Sequence, residues 1–275
     1  MTDNDLMPAF IAYIFPLNGT DIRVGWNTFD KPSIRQNLRA IGSCVEAEGF
    51  DGVAAALREA DLPNAGASWL FPDMATLRSR GFVVETTGAG WNLLGSMEPN
   101  ATIADPEHPL VQDLVNSPEL GVTPTLEAAN ELNSVLWSCT VTNQLPTAFE
   151  QAQQLAVSWR AEIARIDDTP AVKTAIEALL ECVRTIDPVF SDVTDVDNWW
   201  STQLGEQINL DFDPNVSEAE FSSEMQRWGQ GYANCVAPVV VAREGVRFAA
   251  RQERISEQFK VLVELQADVT KALNP

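Results

Sequence analysis

Two runs of carboxylates are the residues of this chain best suited to chemistry. Asp187, Asp192, Asp195 and Asp197 fall close together, and Asp211-Phe212-Asp213-Pro214-Asn215 follows. Oxygen ligands at alternate positions suit a divalent cation of the calcium or magnesium class. Asp211, Asp213 and Asn215 match the first three ligand positions of a calcium loop, but Val216 stands in place of its glycine and Ser222 in place of its bidentate glutamate. Asp192, Asp195, Asp197, Asp211, Asp213 and Asn215 are therefore candidate metal ligands, with a divalent cation as the implied cofactor. The competing expectation is that acids just before a helix serve its N-terminus.

No catalytic centre is legible, and no organic cofactor is implied. The single histidine, His108, lies in Asp105-Pro106-Glu107-His108-Pro109, which excludes multi-histidine metal sites and reads as a surface loop. Thr87-Gly88-Ala89-Gly90 lacks the lysine and following helix of a phosphate loop. Trp199-Trp200 beside Asp197 and Asn198 could form a sugar-stacking platform, but core packing or a subunit contact is the stronger expectation. Cys44, Cys139, Cys182 and Cys235 are too far apart for a zinc knuckle or a Cys-x-x-Cys site. They read as small buried hydrophobes in a reducing compartment; their even number leaves two disulfides open, with no secretory signal to support them.

A second pattern concerns contact rather than catalysis. Val241, Phe248, Ile255, Phe259, Leu262, Val269 and Leu273 follow heptad spacing near the end of the chain, interrupted by Gly245, Gln252 and Gln266. Beside them Arg243, Arg247, Arg251 and Arg254 form a row. Like charges at i, i+4 destabilise an isolated helix by about 0.2–0.5 kcal/mol per pair, so the row needs carboxylates. These would come from the same bundle, a second copy or another protein. Arg243, Arg247, Arg251, Arg254, Phe259 and Trp199 are the candidate interface residues.

Composition limits the partners. The 275 residues carry 39 acids against 18 bases, a formal net charge of −21. Such a surface repels phosphate backbones and anionic headgroups, so general nucleic-acid or membrane binding is disfavoured. Hydrophobic content of 45% with eight tryptophans indicates a chain that folds around a core. The acidic opening Met1-Thr2-Asp3-Asn4-Asp5 does not resemble a secretory signal. A cytoplasmic protein, or one within a viral particle, is expected.

The elements that must position these residues begin with two hairpins. Phe10–Phe15 and Asp21–Trp26 flank Asn18-Gly19, a turn signal because both residues accept positive φ. Phe82–Thr86 and Trp91–Leu94 flank the Thr87–Gly90 turn. Between them a helix carries Ile34, Leu38, Ile41 and Val45 as one stripe and stops at Gly49. Two shorter helices follow, giving the order ββ-ααα-ββ. That order is similar to a winged helix, with Arg78 and Arg80 on the third helix. However, residues 1–100 hold seven bases and twelve acids, 7 − 12 = −5, which opposes DNA. From residue 125 the pattern is helical, and Ser217 with Glu220 forms a capping box for the last helix. Pro238 should kink or divide that helix.

The expected fold is α+β, predominantly α. A small α+β domain at 1–97 precedes a proline-rich linker or arm at 98–124 and a helical bundle at 125–275. The function expected is a non-enzymatic structural or interaction subunit of a larger assembly, a viral particle or bacterial complex. It would bind protein partners or itself through the terminal helix and the linker. The alternatives are a carboxylate-site metal-dependent enzyme or ligand-binding protein, and a winged-helix-like regulator.

Overall fold

A computed structural model describes residues 7–62, 68–82, 89–99, 101–200, 204 and 217–274, and these contain helices and no strand. The helices are α1 (Pro8–Ile14), α2 (Gly19–Gly25), α3 (Lys31–Ala47), α4 (Asp51–Arg58), α5 (Met74–Arg80), α6 (Ala89–Gly95), α7 (Pro109–Asn116), α8 (Leu126–Thr142), α9 (Thr147–Ile166), α10 (Pro170–Val183) and a terminal helix, Glu218–Leu273.

The α+β expectation is overturned at both hairpins. Phe10–Phe15 reads as a strand because it is nearly all apolar, yet it lies on α1 with Phe10, Ala12, Tyr13 and Ile14 buried. A short helix buried on most sides has no polar face, so its sequence loses the helical period. Asn18 is an N-cap rather than a hairpin turn: its side-chain oxygen accepts from Thr20 N at 3.0 Å and Asp21 N at 3.1 Å. Asparagine serves both roles because its short amide mimics a backbone carbonyl. In the second hairpin Trp91–Leu94 lies on α6, while residues 83–88 lie outside the described residues. With these hairpins goes the likeness to a winged helix.

The helical readings fare better. α3 buries Leu38, Ile41 and Val45 and ends before Gly49, whose φ of 90° suits glycine. α9 buries Phe149, Ala152, Ala156, Trp159, Ile163 and Ile166. The capping box is present: Ser217 Oγ accepts from Glu220 N, and Glu220 accepts from Ser217 N. Pro238 does not divide the terminal helix, which runs unbroken for 56 residues. Pro238 and Asn234 are both exposed, so water can serve the carbonyl that proline leaves without a donor.

Two compact units interleave along the chain, in place of the contiguous domains expected. The first comprises Met1–Trp26, Ala65–Val84 and Gln151–Pro275; the second comprises Asn27–Asn64 and Glu85–Glu150. Within the second, the stretch expected as a linker is packed. Leu110, Val111, Leu114 and Leu120 are buried. Asn130 and Asn133 on α8 each bond both backbone groups of one residue in that stretch, Ile103 and Glu98 respectively. Proline supplies no donor there, and the amides meet the backbone groups that would otherwise be left bare.

The cysteines correct a further expectation. Cys44 pairs with Cys139, joining α3 to α8 in the second unit, and Cys182 pairs with Cys235, joining α10 to the terminal helix in the first. Cys139 and Cys235 are buried as read, Cys44 and Cys182 are half-buried, and none is a free thiol.

In the first unit α5 meets the terminal helix backbone to backbone. Phe82 N donates to Met225 O at 3.1 Å. A Cβ on Gly229 would stand 2.4 Å from Gly81 Cα, and one on Gly81 2.3 Å from Gln226 Cα. Gly229→Ala should therefore lower the urea midpoint by an amount worth about 1–3 kcal/mol, and an unchanged midpoint would show that this approach is looser than described.

Candidate functional site: a buried arginine–carboxylate centre

The arginine row sits at positions 243, 247, 251 and 254 of the terminal helix, so all four lie along one face. That face turns inward. Arg243 and Arg247 are each 1% exposed, an unusual place for two guanidinium groups.

Arg247 is fully engaged. It grips Asp167 with two parallel bonds, Nε to Oδ1 at 2.9 Å and Nη2 to Oδ2 at 2.6 Å. Its Nη1 donates to Leu17 O at 2.9 Å and Leu70 O at 2.8 Å, and its Cζ lies 4.8 Å over the Phe71 ring. Arg243 stacks on Trp69, with Cζ 4.3 Å from the ring centroid, and its Nη1 donates to Trp69 O at 2.8 Å. Its Nε lies 3.1 Å from Asp167 Oδ2, an ion pair, but is not aimed to form a hydrogen bond. Toward the surface, Arg251 donates to Asp21 Oδ2 at 2.9 Å. Arg254 donates to Glu162 at 2.7 and 3.1 Å and to Glu257 at 3.2 Å.

The electrostatics follow depth. Burial, then the neighbouring Arg247, lowers the pKa of Arg243 to about 10, and Asp167 opposes that shift. It remains charged at neutral pH. Burial also lowers the pKa of Arg251, against the pull of Asp21. Near the surface the sign reverses: bonding to Glu162 raises Arg254, and bonds from Arg254 and Arg165 lower Glu162.

Chemically this centre is a clamp. It fastens three stretches of the first unit, around Phe15–Asp21, Trp69–Phe71 and Glu162–Asp167, to one helix face. The sequence pointed to the arginines and their need for acids. It did not point to Asp167, which reads as part of an interhelical turn in Asp167-Asp168-Thr169-Pro170, or to Trp69. Their pairing spans 80 residues for Arg247 with Asp167 and 174 for Arg243 with Trp69, and leaves no local spacing signal.

The remaining candidates are dispersed. Trp199 is fully buried against Phe82, Phe190 and Tyr232, with ring centroids 6.3, 5.3 and 5.2 Å away. Trp200 packs on the same cluster, so the pair forms no exposed platform. Phe259 is half-buried.

Among the acids, Asp195 caps a helical turn by accepting from Asn198 N at 2.7 Å, Asp197 accepts from Trp69 Nε1 at 2.6 Å, and Asp192 is exposed. Burial opposes ionisation of Asp187, but bonds from Arg227, Val189 N and Trp228 Nε1 hold its pKa below the usual carboxylate range. Asp211, Asp213 and Asn215 lie outside the described residues. Among the described residues no group of three or more His, Cys, Asp or Glu could hold a metal ion.

His108 is an N-cap, its Nδ1 accepting from Leu110 N at 3.1 Å and its Nε2 facing Glu98 at 3.3 Å. Among the described residues no helix is long and apolar enough to cross a membrane. No family model, no curated protein and no solved structure matches this chain.

Proposed function

We propose that this protein is a non-enzymatic assembly subunit that pairs with a second copy of itself through the outer face of the terminal helix. The observation that carries this reading is the exposed row Val241, Gly245 and Phe248. Val241 is 72% and Phe248 51% exposed. A Cβ on Gly245 would meet nothing within 4 Å. Spacings of four and three place these residues on one stripe, opposite the buried arginines. A two-fold axis between Gly245 and Phe248 would set each Phe248 ring against Gly245 of the other copy, a knob facing a notch. Ala242 and Ala249 flank the row and let the two backbones approach. An isologous contact of this kind closes on itself. The arginine row does not support the contact, because Arg243 and Arg247 face the interior of the unit.

The setting of such a subunit, cytoplasm or particle, bears on the cysteines. Disulfides persist in oxidising surroundings and are rare in a reducing cytoplasm, so the two bridges support the particle setting.

Solution mass measured against concentration tests the pairing. The chain of 30.1 kDa should approach twice that mass, about 60 kDa, at micromolar concentrations, and Phe248→Glu should keep it monomeric with its helical circular dichroism intact. A wild-type chain that stays monomeric at high concentration, or a Phe248→Glu variant that still pairs, would remove the proposal.

A further inference from the structure

The buried core of the first unit holds donors that no acceptor meets. Arg243 Nη2 and Nε make no hydrogen bond, and neither does the hydroxyl of Tyr232. Arg243 is 1% and Tyr232 0% exposed. The Trp199 indole N–H, on a ring 5.2 Å from that of Tyr232, is likewise buried without an acceptor. Buried donors in native folds nearly always find partners, because each bare one costs about 1–3 kcal/mol and a charged one more.

Charge points the same way. Two guanidinium groups, Arg243 and Arg247, share one buried carboxylate, Asp167. The two parallel bonds of that carboxylate go to Arg247, which leaves Arg243 the weaker claim on it. Arg243 stacks on Trp69, and Trp69 packs against the cluster that holds Tyr232 and Trp199, so the guanidinium and these donors belong to one region of the core. One positive charge in excess, together with buried hydroxyl and N–H donors that make no hydrogen bond, is the chemistry of a small-anion site. The overall charge of −21 repels anions at long range. Salt screens that field beyond about 8–10 Å, whereas a buried guanidinium is screened little.

We propose that a small monovalent anion of chloride's size binds inside the first unit, between the guanidinium of Arg243 and the hydroxyl of Tyr232. The anion completes the donors of Arg243 and balances the second buried arginine. It is a structural ion whose binding is coupled to folding, because the unfolded chain offers no such site.

The test compares the full-length protein in sodium chloride and sodium gluconate at equal ionic strength, since gluconate is too large for a buried site. Chloride should raise Tm by about 3–8 °C over gluconate, saturably. Tyr232→Phe removes one donor and keeps the ring, so it should abolish most of that difference while the fold persists. Bromide soaked into crystals should give an anomalous peak beside Arg243 and none in Tyr232→Phe. Equal Tm values in the two salts, or a chloride effect of unchanged size in Tyr232→Phe, would overturn the proposal. So would a water molecule found bridging the two groups in chloride.

Discussion

Asp167→Asn is expected to cost the fold about 3–5 kcal/mol, the range for breaking a buried ion pair by removing one partner. The substitution keeps the shape of the side chain and removes the carboxylate that, alone among the described residues, pairs with both Arg243 and Arg247. Neither arginine can reach water, because both are 1% exposed. The penalty is that of stranded charge, and it greatly exceeds what a surface pair contributes. Arg254→Ala supplies the contrast. Its partner Glu162 is outside the deep core and Arg254 is 37% exposed, so that loss should be within about 1 kcal/mol. Replacing all three buried charges together, with Arg243→Met, Arg247→Met and Asp167→Leu, should recover most of the loss, since apolar groups of similar volume fill such sites without desolvation cost. Urea midpoints for the four proteins check the ranking. A midpoint for Asp167→Asn within the error of the wild type would show that the centre is not the clamp described.

Opening the disulfides should have the second large effect. Each bridge closes a long loop, 95 residues apart for Cys44–Cys139 and 53 for Cys182–Cys235. Loop-closure entropy at those lengths is about 4–5 kcal/mol, and measured losses run about 2–5 kcal/mol. Cys182→Ser with Cys235→Ser should loosen the first unit, and Cys44→Ser with Cys139→Ser the second. Because the pairs lie in different units, their costs should add to within about 0.5 kcal/mol. Peptide mapping without reductant should recover the two cross-linked pairs. Four cysteines alkylated after unfolding, with no reductant added, would contradict the pairing.

How much of this could be read from residue order depends on range. Elements specified within one helical turn were legible: the stripe on α3, the helical pattern from residue 125, the capping box at Ser217. The hairpins were misread because Phe10–Phe15 offers no polar face to set a period and because Asn18-Gly19 signals a hairpin turn as well as it signals an N-cap. The centre was half legible. A row of four arginines announces unmet charge, but Asp167, Asp21 and Glu162 carry no mark that sets them apart from the other acids of this chain. Which acid meets which arginine is decided by packing over long separations, 80 residues for Arg247 with Asp167 and 230 for Arg251 with Asp21. The cysteines failed for the same reason, since Cys44 and Cys139 become neighbours only once α3 lies on α8.

The clamp also orders events in time. Arg247 takes its partners from Leu17, Leu70 and Asp167, so every one of them leaves the ribosome before the residue that fastens them. The second unit ends at Glu150 and can consolidate while synthesis continues, as compact units generally do. The first must hold its early helices in reserve until the closing helix emerges, and a chain interrupted before Arg247 would be left with the Asp167 carboxylate and the Leu17 and Leu70 carbonyls without the group that joins them.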